Sequence, residues 1–287
     1  MALDTVQTYK DYFVAEVHRL YESNKTLRQF VTLKTGVEGK TAQFPVAGGG
    51  IAVPAARGKN ITPMNQAREM VVATLSGWDA YDYVYGIDQL KISYDDISVT
   101  AAACLAAINR REMQLILDSI KDKCSSGNNN LLDLSDIFTV DALSSAKEYF
   151  DDNNVDEEDR HIALTAHQQR QLRDDARGID SDTLNDVKAW LRGTLPVLYG
   201  FHLHTISGKL KEGGLPATGS GSTAKHGSLA WHKQAVGLAV CLDKKASMDW
   251  IPEKKGYFTG MTYDAGAVGI DKLGFLRINT LDIKPAG

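Results

Sequence analysis

The sequence predicts an α+β fold. Residues 95–124 contain no Gly or Pro, and their apolar side chains recur every three or four positions, as in a long helix. Segments rich in β-branched and aromatic residues lie on both sides of it. The overall order is hairpin, long helix, mixed helices and strands, and a returning strand. With 43% apolar residues in 287, the chain has enough apolar side chains for a folded core.

Composition and charge exclude several classes of protein. The net charge is 32 − 36 = −4, which argues against a dedicated nucleic-acid reader with a basic face. Cys104, Cys124 and Cys241 have the spacing of neither a disulfide framework nor a zinc knuckle, so we expect synthesis in a reducing cytoplasm. The apolar stretches are shorter than the ~20 residues that span a bilayer, and the first residues lack signal-peptide features.

The first ninety residues predict a helix followed by an extended hairpin. Residues 3–22 have helical periodicity, and this helix could dock on its own core or serve as an arm on a neighbour. Residues 41–90 consist of a short strand, a long Gly- and Pro-rich excursion and a strongly β-forming segment in which Tyr81, Tyr83 and Tyr85 share one face. The alternative for the excursion is a floppy surface loop.

The helix at 95–124 begins with the capping acids Asp95 and Asp96. Its apolar stripe predicts a buried central helix, with the segment from Arg110 to Glu112 mostly on the solvent side. Ala103 and Ala107 are four residues apart and predict close packing at the Ala-rich end. The stripe consists of Leu105, Ile108, Leu115, Ile116 and Ile120.

The remainder of the chain alternates between helical and strand patterns. We expect one buried strand at 228–242, with a bulge at Gly237, and a Gly/Ser loop at 211–228. The stretch from residue 261 predicts a short helix or strand followed by a final strand. The other predicted elements are helices near 140–151, 166–176 and 182–193, a strand at 159–166, and a strand pair or one bent strand at 194–207.

No motif predicts a phosphate-binding loop or a hydrolase site. Gly48–Gly50 is followed by Pro54 and opens no helix, and the segment 214–219 lacks the Lys and Ser/Thr of a P-loop. No G-x-S-x-G elbow occurs, and the adjacent acids at 151–159 are typical of a solvated loop.

Two histidines leave one metal alternative open. His202 and His204 would share a strand face and could begin a zinc site, with a third ligand from His226 or His232. More often this pattern is half-buried packing. The sequence therefore predicts no reaction, and a long protrusion without chemistry favours an assembly protein over an enzyme.

Several segments together resemble tailed-bacteriophage major capsid proteins of the Hong-Kong-phage-type fold. The matching segments occur in the same order as in that family, on both sides of the long helix. No single segment is diagnostic, and the resemblance rests on their order and spacing. The matching segments are YESNKTLRQFV (21–31), PMN (63–65), VATLSGWDAYDYV (72–84), IDQ (87–89), LAWHKQAVGLA (229–239) and YDAGAVGIDKLGFLRI (263–278).

The resemblance implies a division of the chain into parts. In that division the helix at 97–123 is the spine of a peripheral domain. The parts are an N-terminal arm at 1–40, an extended loop (E-loop) at 41–90, the peripheral domain at 91–130, an axial domain at 131–262 and a C-terminal return strand to the peripheral domain at 263–287.

The resemblance also implies a function: hexamers and pentamers of one chain forming the icosahedral shell around double-stranded DNA, in the virion. It implies a portal and a separate scaffold protein as partners, a possible cement protein, and no cofactor, membrane or enzymatic activity. Some members cross-link a Lys and an Asn between subunits, but no such pair is assignable here. The expected subunit contacts are Arg57, Lys59, Asn60 and Arg68.

Three other functions stay open at this point. An encapsulin-like nanocompartment shell has the same fold but encloses enzymes. A metal-dependent enzyme would use His202 and His204 with His232. A monomeric adhesion or decoration module would not assemble at all.

Overall fold

The computed structural model describes residues 26–54, 57–58, 60, 63–86, 96–124, 126–175, 197–208, 212–219 and 224–281. In these ranges the chain forms three α-helices and thirteen strands. The helices are α1 (Asp96–Lys123), α2 (Val140–Asp152) and α3 (Ala166–Asp174). The strands are β1 (Thr32–Thr35), β2 (Thr41–Ala47), β3 (Arg68–Thr74), β4 (Ser76–Tyr85), β5 (Leu131–Asp133), β6 (Arg160–Thr165), β7 (Val197–Leu198), β8 (Phe201–Ile206), β9 (Ala217–Thr218), β10 (Lys225–His232), β11 (Val236–Ile251), β12 (Gly256–Gly269) and β13 (Phe275–Leu281).

The first main sheet has four strands in the order β1-β11-β12-β4. Strands β11 and β12 form a long antiparallel hairpin, and β4 continues the sheet antiparallel to β12. The edge strand β1 pairs in parallel with β11, from Thr32 opposite Gly237 to Thr35 opposite Val240. Tyr81, which shares its face with Tyr83 and Tyr85 as predicted, stacks on Phe258 of β12.

The helix α1 packs along this sheet, mainly against β12 and β4. The predicted long helix is confirmed, and Leu105, Ile116 and Ile120 are fully buried in the main core. Two details of the prediction are wrong. Glu112 is completely buried rather than solvent-side, because a lysine from β11 reaches it. At the Ala-rich end Ala103 is exposed, and the fully buried alanine is Ala101.

The second main sheet has seven strands, in the order β5-β13-β10-β6-β8-β7, with β9 paired to β10. Helices α2 and α3 contribute to a second core on this sheet, which includes Phe138, Phe150, Leu172 and Phe201. Arg160 is buried in this region. Its guanidinium donates to Asp151 Oδ1 at 2.7 Å and to backbone carbonyls that follow α2, so it ties α2 to β6.

The expected single strand at 228–242 is in fact two strands in two different sheets. A 3₁₀ turn at Lys233–Ala235 separates β10 from β11, and the His232 side chain accepts from the Gln234 amide at its start. The bulge predicted at Gly237 is also wrong, since Gly237 pairs regularly with Val268. The register shifts instead fall between Val240 and Lys245.

Some of the remaining predicted elements are found in the structure, some differ from it, and two lie outside the described residues. The segment 194–207 contains the strand pair β7–β8, and its turn uses Tyr199 and Gly200, both with positive φ, which strongly twisted hairpins require. The expected loop at 211–228 contains β9 and the start of β10. The stretch from residue 261 forms strands in both parts, β12 and β13. The predicted helices at 3–22 and 182–193 lie outside the described residues.

Candidate subunit interface

The extended hairpin leaves the body of the protein with apolar side chains uncovered. Strands β2 and β3 pair antiparallel from Thr41 opposite Thr74 to Ala47 opposite Arg68, and a hydrogen bond from Gly48 N to Ala67 O prolongs the ladder. Among the described residues, this two-stranded sheet has no further strand on either edge. One face of its base is buried, but the opposite face and the outer part expose large apolar side chains. These are Ile51 (86% exposed), Val53 (59%), Met64 (52%), Met70 (64%) and Val72 (47%).

The base of the hairpin docks on a surface where two glycines leave room for it. A Cβ on Gly237 would lie 2.8 Å from the ring of Phe44, and a Cβ on Gly266 would lie 2.1 Å from the carbonyl oxygen of Thr74. Real Cβ atoms essentially never come so close, so both positions depend on the absence of a side chain. The small core formed here includes Phe44, Ala73 and Ala239. The hairpin is therefore held firmly at its base and projects from it.

Three of the four residues predicted to make subunit contacts lie on this hairpin or its loop. Arg57, Asn60 and Arg68 are exposed, and Lys59 lies outside the described residues. Their role in contacting a neighbour stays a prediction. The residues predicted from charge do not include the exposed apolar residues of the hairpin. The signal for them was the two-residue alternation of β3, which places Met70 and Val72 on the face opposite the buried Ala73.

A second feature is the segment Thr26–Thr35, which makes contacts with strands of both main sheets. Arg28 makes two hydrogen bonds of 2.8 Å with the carboxylate of Asp243 on β11. The indole Nε1 of Trp231 on β10 donates to the carbonyl oxygen of Phe30 at 2.9 Å. With the pairing of β1 on β11, these bonds fix the segment against parts of the chain about two hundred residues later.

Beneath Phe30 lies a cluster of three histidines, defined by His161 on β6 and His202 and His204 on β8. The rings of His161 and His204 lie 4.8 and 4.3 Å from the Phe30 ring, and 5.6 and 5.8 Å from the Trp231 ring. His204 Nε2 lies 3.2 Å from His161 Nδ1. Sequence reasoning found the strand face shared by His202 and His204 but missed His161, because only the parallel pairing of β6 and β8 brings it opposite His202.

Burial decides the protonation of two members of this cluster, His161 and His204. Burial, followed by the charges of the neighbouring histidines, lowers the pKa of His161 to about 3, and the same causes lower the pKa of His204 to about 4. His161 Nε2 is buried without a hydrogen-bond partner. His161 and His204 are therefore neutral at pH 7, and protonating either would place charge beside the rings of Phe30 and Trp231.

The histidines do not assemble as the metal alternative expected. His226 lies near the start of β10 and His232 at its end, where His232 Nδ1 accepts from the Gln234 amide. Across the ranges the structure describes, no group of three or more His, Cys, Asp or Glu side chains is arranged to hold a metal ion. None of the helices in those ranges combines the length and apolar character needed to cross a bilayer.

Comparison with known proteins supplies the family. The model of a family described as phage capsid protein matches residues 6–282, nearly the whole chain. A search of curated protein sequences found no match.

Solved structures share the fold at low sequence identity. The capsid of cyanophage P-SCSP1u is 18% identical with a TM-score of 0.63, covering 88% of this chain and 86% of that one. The head protein of Helicobacter pylori bacteriophage KHP40 is 11% identical with a TM-score of 0.70, covering 88% of each. A virus-like particle from Pyrococcus furiosus is 9% identical with a TM-score of 0.60, covering 94% and 99%.

Proposed function

The chain belongs to the phage capsid protein family, and we propose that its copies assemble as hexamers and pentamers into the icosahedral shell around the double-stranded DNA of a tailed bacteriophage. The fold is of the Hong-Kong-phage type, and the protein is a structural component of the virion capsid. The observation that carries the assembly proposal is the hairpin β2–β3, which is fixed at its base and apolar where it leaves the body.

The exposed apolar residues of the hairpin support contact with another copy. Ile51, Val53 and Met70 are each more than half exposed. An exposed strand pair with large apolar side chains is prone to aggregate, so such side chains indicate a surface that a partner covers. In a shell the partner is a neighbouring subunit, and identical contacts repeat around each ring of subunits. Arg57, Asn60 and Arg68 then add polar contacts at the rim of the same interface, with Lys59.

We also propose how the parts of the chain correspond to the family's domains. The hairpin β2–β3 and its loop are the E-loop, and residues up to 40 are the arm. Helix α1 with the four-stranded sheet is the peripheral domain, and the seven-stranded sheet with α2 and α3 is the axial domain. In this scheme the chain returns to the peripheral domain with β11, which begins at Val236, rather than at residue 263 as the resemblance implies. The last strand, β13, belongs to the axial sheet.

The remaining partners follow from the same proposal. A portal protein and a separate scaffold protein direct assembly, and a cement protein is a further candidate. The net charge of −4 suits a shell that encloses DNA without binding its phosphates tightly. The family is structural, and we propose no enzymatic activity for this chain.

A compartment shell that encloses enzymes is the second candidate. It is favoured by one observation, the shared fold of the Pyrococcus furiosus virus-like particle. Particles purified from cells distinguish the two, since a phage head contains nuclease-protected double-stranded DNA and a compartment contains a cargo protein.

The test of the proposal is assembly itself. The purified chain, with and without a scaffold protein, is examined by light scattering and negative-stain electron microscopy, and closed shells are expected. A variant with Ile51→Ser and Val53→Ser should remain folded by circular dichroism but give at least a tenfold lower shell yield (order of magnitude). Val99→Ser, at a residue of α1 that is 52% exposed, is the matched control and should assemble normally.

Two outcomes would contradict the proposal separately. A wild-type chain that stays monomeric at every protein and salt concentration would exclude shell assembly. Normal shells from the Ile51/Val53 variant would agree with shell assembly but would contradict the proposed role of the hairpin in the subunit interface.

A further inference from the structure

A lysine, an asparagine and a glutamate meet inside the core between α1 and the hairpin β11–β12. Lys244 Nζ donates to Asn109 Oδ1 at 2.7 Å and lies 3.0 Å from Glu112 Oε2. The side chains of Lys244 and Glu112 are 4% and 0% exposed, and Asn109 is 7% exposed. All three groups come from one chain, so their meeting requires no second subunit.

The fold brings the lysine here by a bulge. Leu242 pairs with Asp264 and Lys245 with Thr262, which leaves Asp243 and Lys244 together opposite the single residue Tyr263. Bulges of this kind turn a side chain out of the regular alternation of a strand. Asp243 consequently reaches Arg28 at the surface, and Lys244 passes inward to the helix.

The surroundings favour a reactive amine. Burial lowers the pKa of Lys244, although the Glu112 carboxylate opposes this effect. Lys244 Nζ lies 5.6 Å from the centre of the Tyr263 ring, which is itself fully buried. Asn109 Nδ2 is buried without a hydrogen-bond partner, so nothing in the described structure holds the amide nitrogen in place.

We propose that Lys244 and Asn109 form an intramolecular isopeptide bond, with Glu112 transferring the proton. The C=O bond is about 1.2 Å long, so Nζ at hydrogen-bond distance from Oδ1 lies within about 4 Å of Cγ, close to attack distance. The bond joins two elements of one subunit. It is therefore distinct from a Lys–Asn cross-link between subunits.

The reaction balances without any further reactant. The Lys244 ammonium gives one proton to the Glu112 carboxylate, and the neutral amine attacks Cγ of Asn109. A new N–C bond forms and the Cγ–Nδ2 bond breaks. The Nδ2 amino group takes the one proton held by Glu112 and leaves as ammonia, and the attacking nitrogen then loses one proton to the Glu112 carboxylate. The products are a secondary amide, one ammonia molecule and a neutral Glu112. A buried pair of opposite charges is thereby replaced by neutral groups, which the core solvates more readily.

The decisive experiment is the intact mass of the purified full-length chain, measured after denaturation. The expected mass is lower than the mass of the sequence by one ammonia molecule. A succinimide at an asparagine gives the same loss, so a proteolytic digest must also contain the branched peptide that links Lys244 to Asn109. A wild-type chain at the full sequence mass would overturn the proposal, as would a loss of ammonia that maps to another residue.

Variants assign the roles. Lys244→Met and Glu112→Gln should both show the full sequence mass after allowing for the substitution. Lys245→Met changes the adjacent exposed lysine and should keep the loss of ammonia. If Lys244→Met retained the loss, the proposal would be wrong. Should a variant fail to fold, the wild-type mass and digest still decide. Because the bond forms within one subunit, its absence would leave the assembly proposal untouched.

Discussion

Acid should weaken this subunit through the histidine cluster beneath Phe30 before it affects ordinary carboxylates. At pH 7, His161 and His204 are neutral whether the chain is folded or unfolded. Below the unfolded pKa of about 6.5, the unfolded chain binds protons that the folded cluster does not accept until its lowered pKa values of about 3 and about 4 are reached. Stability contributed by the neutral form is therefore complete above pH 6.5 and is lost as pH falls toward 4.

The size of the effect follows from these values. At pH 5 each unfolded histidine is mostly protonated and each folded one is mostly neutral, which amounts to about 2 kcal/mol per residue. Since the two rings are in contact and share their environment, the sum is about 2–4 kcal/mol. For a chain of this length, that corresponds to a fall in melting temperature of roughly 5–10 °C.

The assay is thermal unfolding at pH 7 and pH 5, an interval in which most carboxylates stay ionised. His204→Gln should remove about half of the difference between the two pH values, whatever it does to absolute stability. His167→Gln, at an exposed histidine of α3, is the matched control and should leave the difference unchanged. Equal melting temperatures for the wild type at both pH values would refute the reasoning, and so would a His204→Gln variant that keeps the full difference.

Three other predictions concern packing. Gly266→Ala should destabilise the subunit by about 1–3 kcal/mol in chemical denaturation because a Cβ there meets the backbone of β3, whereas Gly77→Ala, with open space around it, should change stability little. Arg160→Met should lower the free energy of unfolding by about 2–4 kcal/mol, since the buried guanidinium holds Asp151 and two carbonyl groups; an unchanged midpoint would contradict this. Ala103→Leu should leave the stability of the isolated subunit unchanged, because Ala103 is exposed, and a loss of stability would show that the helix is covered there.

The elements that sequence reasoning found depend on local signals. Helix α1 is long and uninterrupted, and the extended hairpin has β-forming segments on both sides of a Gly- and Pro-rich excursion. Both features are visible within about fifty residues. The family resemblance, drawn from the order of such segments, agrees with the family match over residues 6–282.

What sequence reasoning missed depends on contacts between distant residues. Glu112 has the composition of a surface position, and only Lys244, turned inward by a bulge in β11, makes it a core residue. The turn at Lys233–Ala235 contains neither Gly nor Pro, so the sequence predicts a continuous strand there. The break is visible only in the structure, where β10 and β11 belong to different sheets. His161 joins the cluster only through the register of β6 on β8.

The pairing of β1 with β11 also has a consequence in time. Phe30 and its partner Trp231 are 201 residues apart, and Phe44 is 193 residues from Gly237, against which its ring packs. At about 5–20 residues per second, a ribosome needs roughly 10–40 s to cover that distance. Strands β2 and β3 and helix α1 are synthesised early in this interval. The surface that receives β1 and the hairpin base is synthesised only at its end. The segment from Thr26 to Ala47 is thus among the last described parts of the subunit to be completed, and a newly made chain presents an undocked hairpin before it presents a finished body.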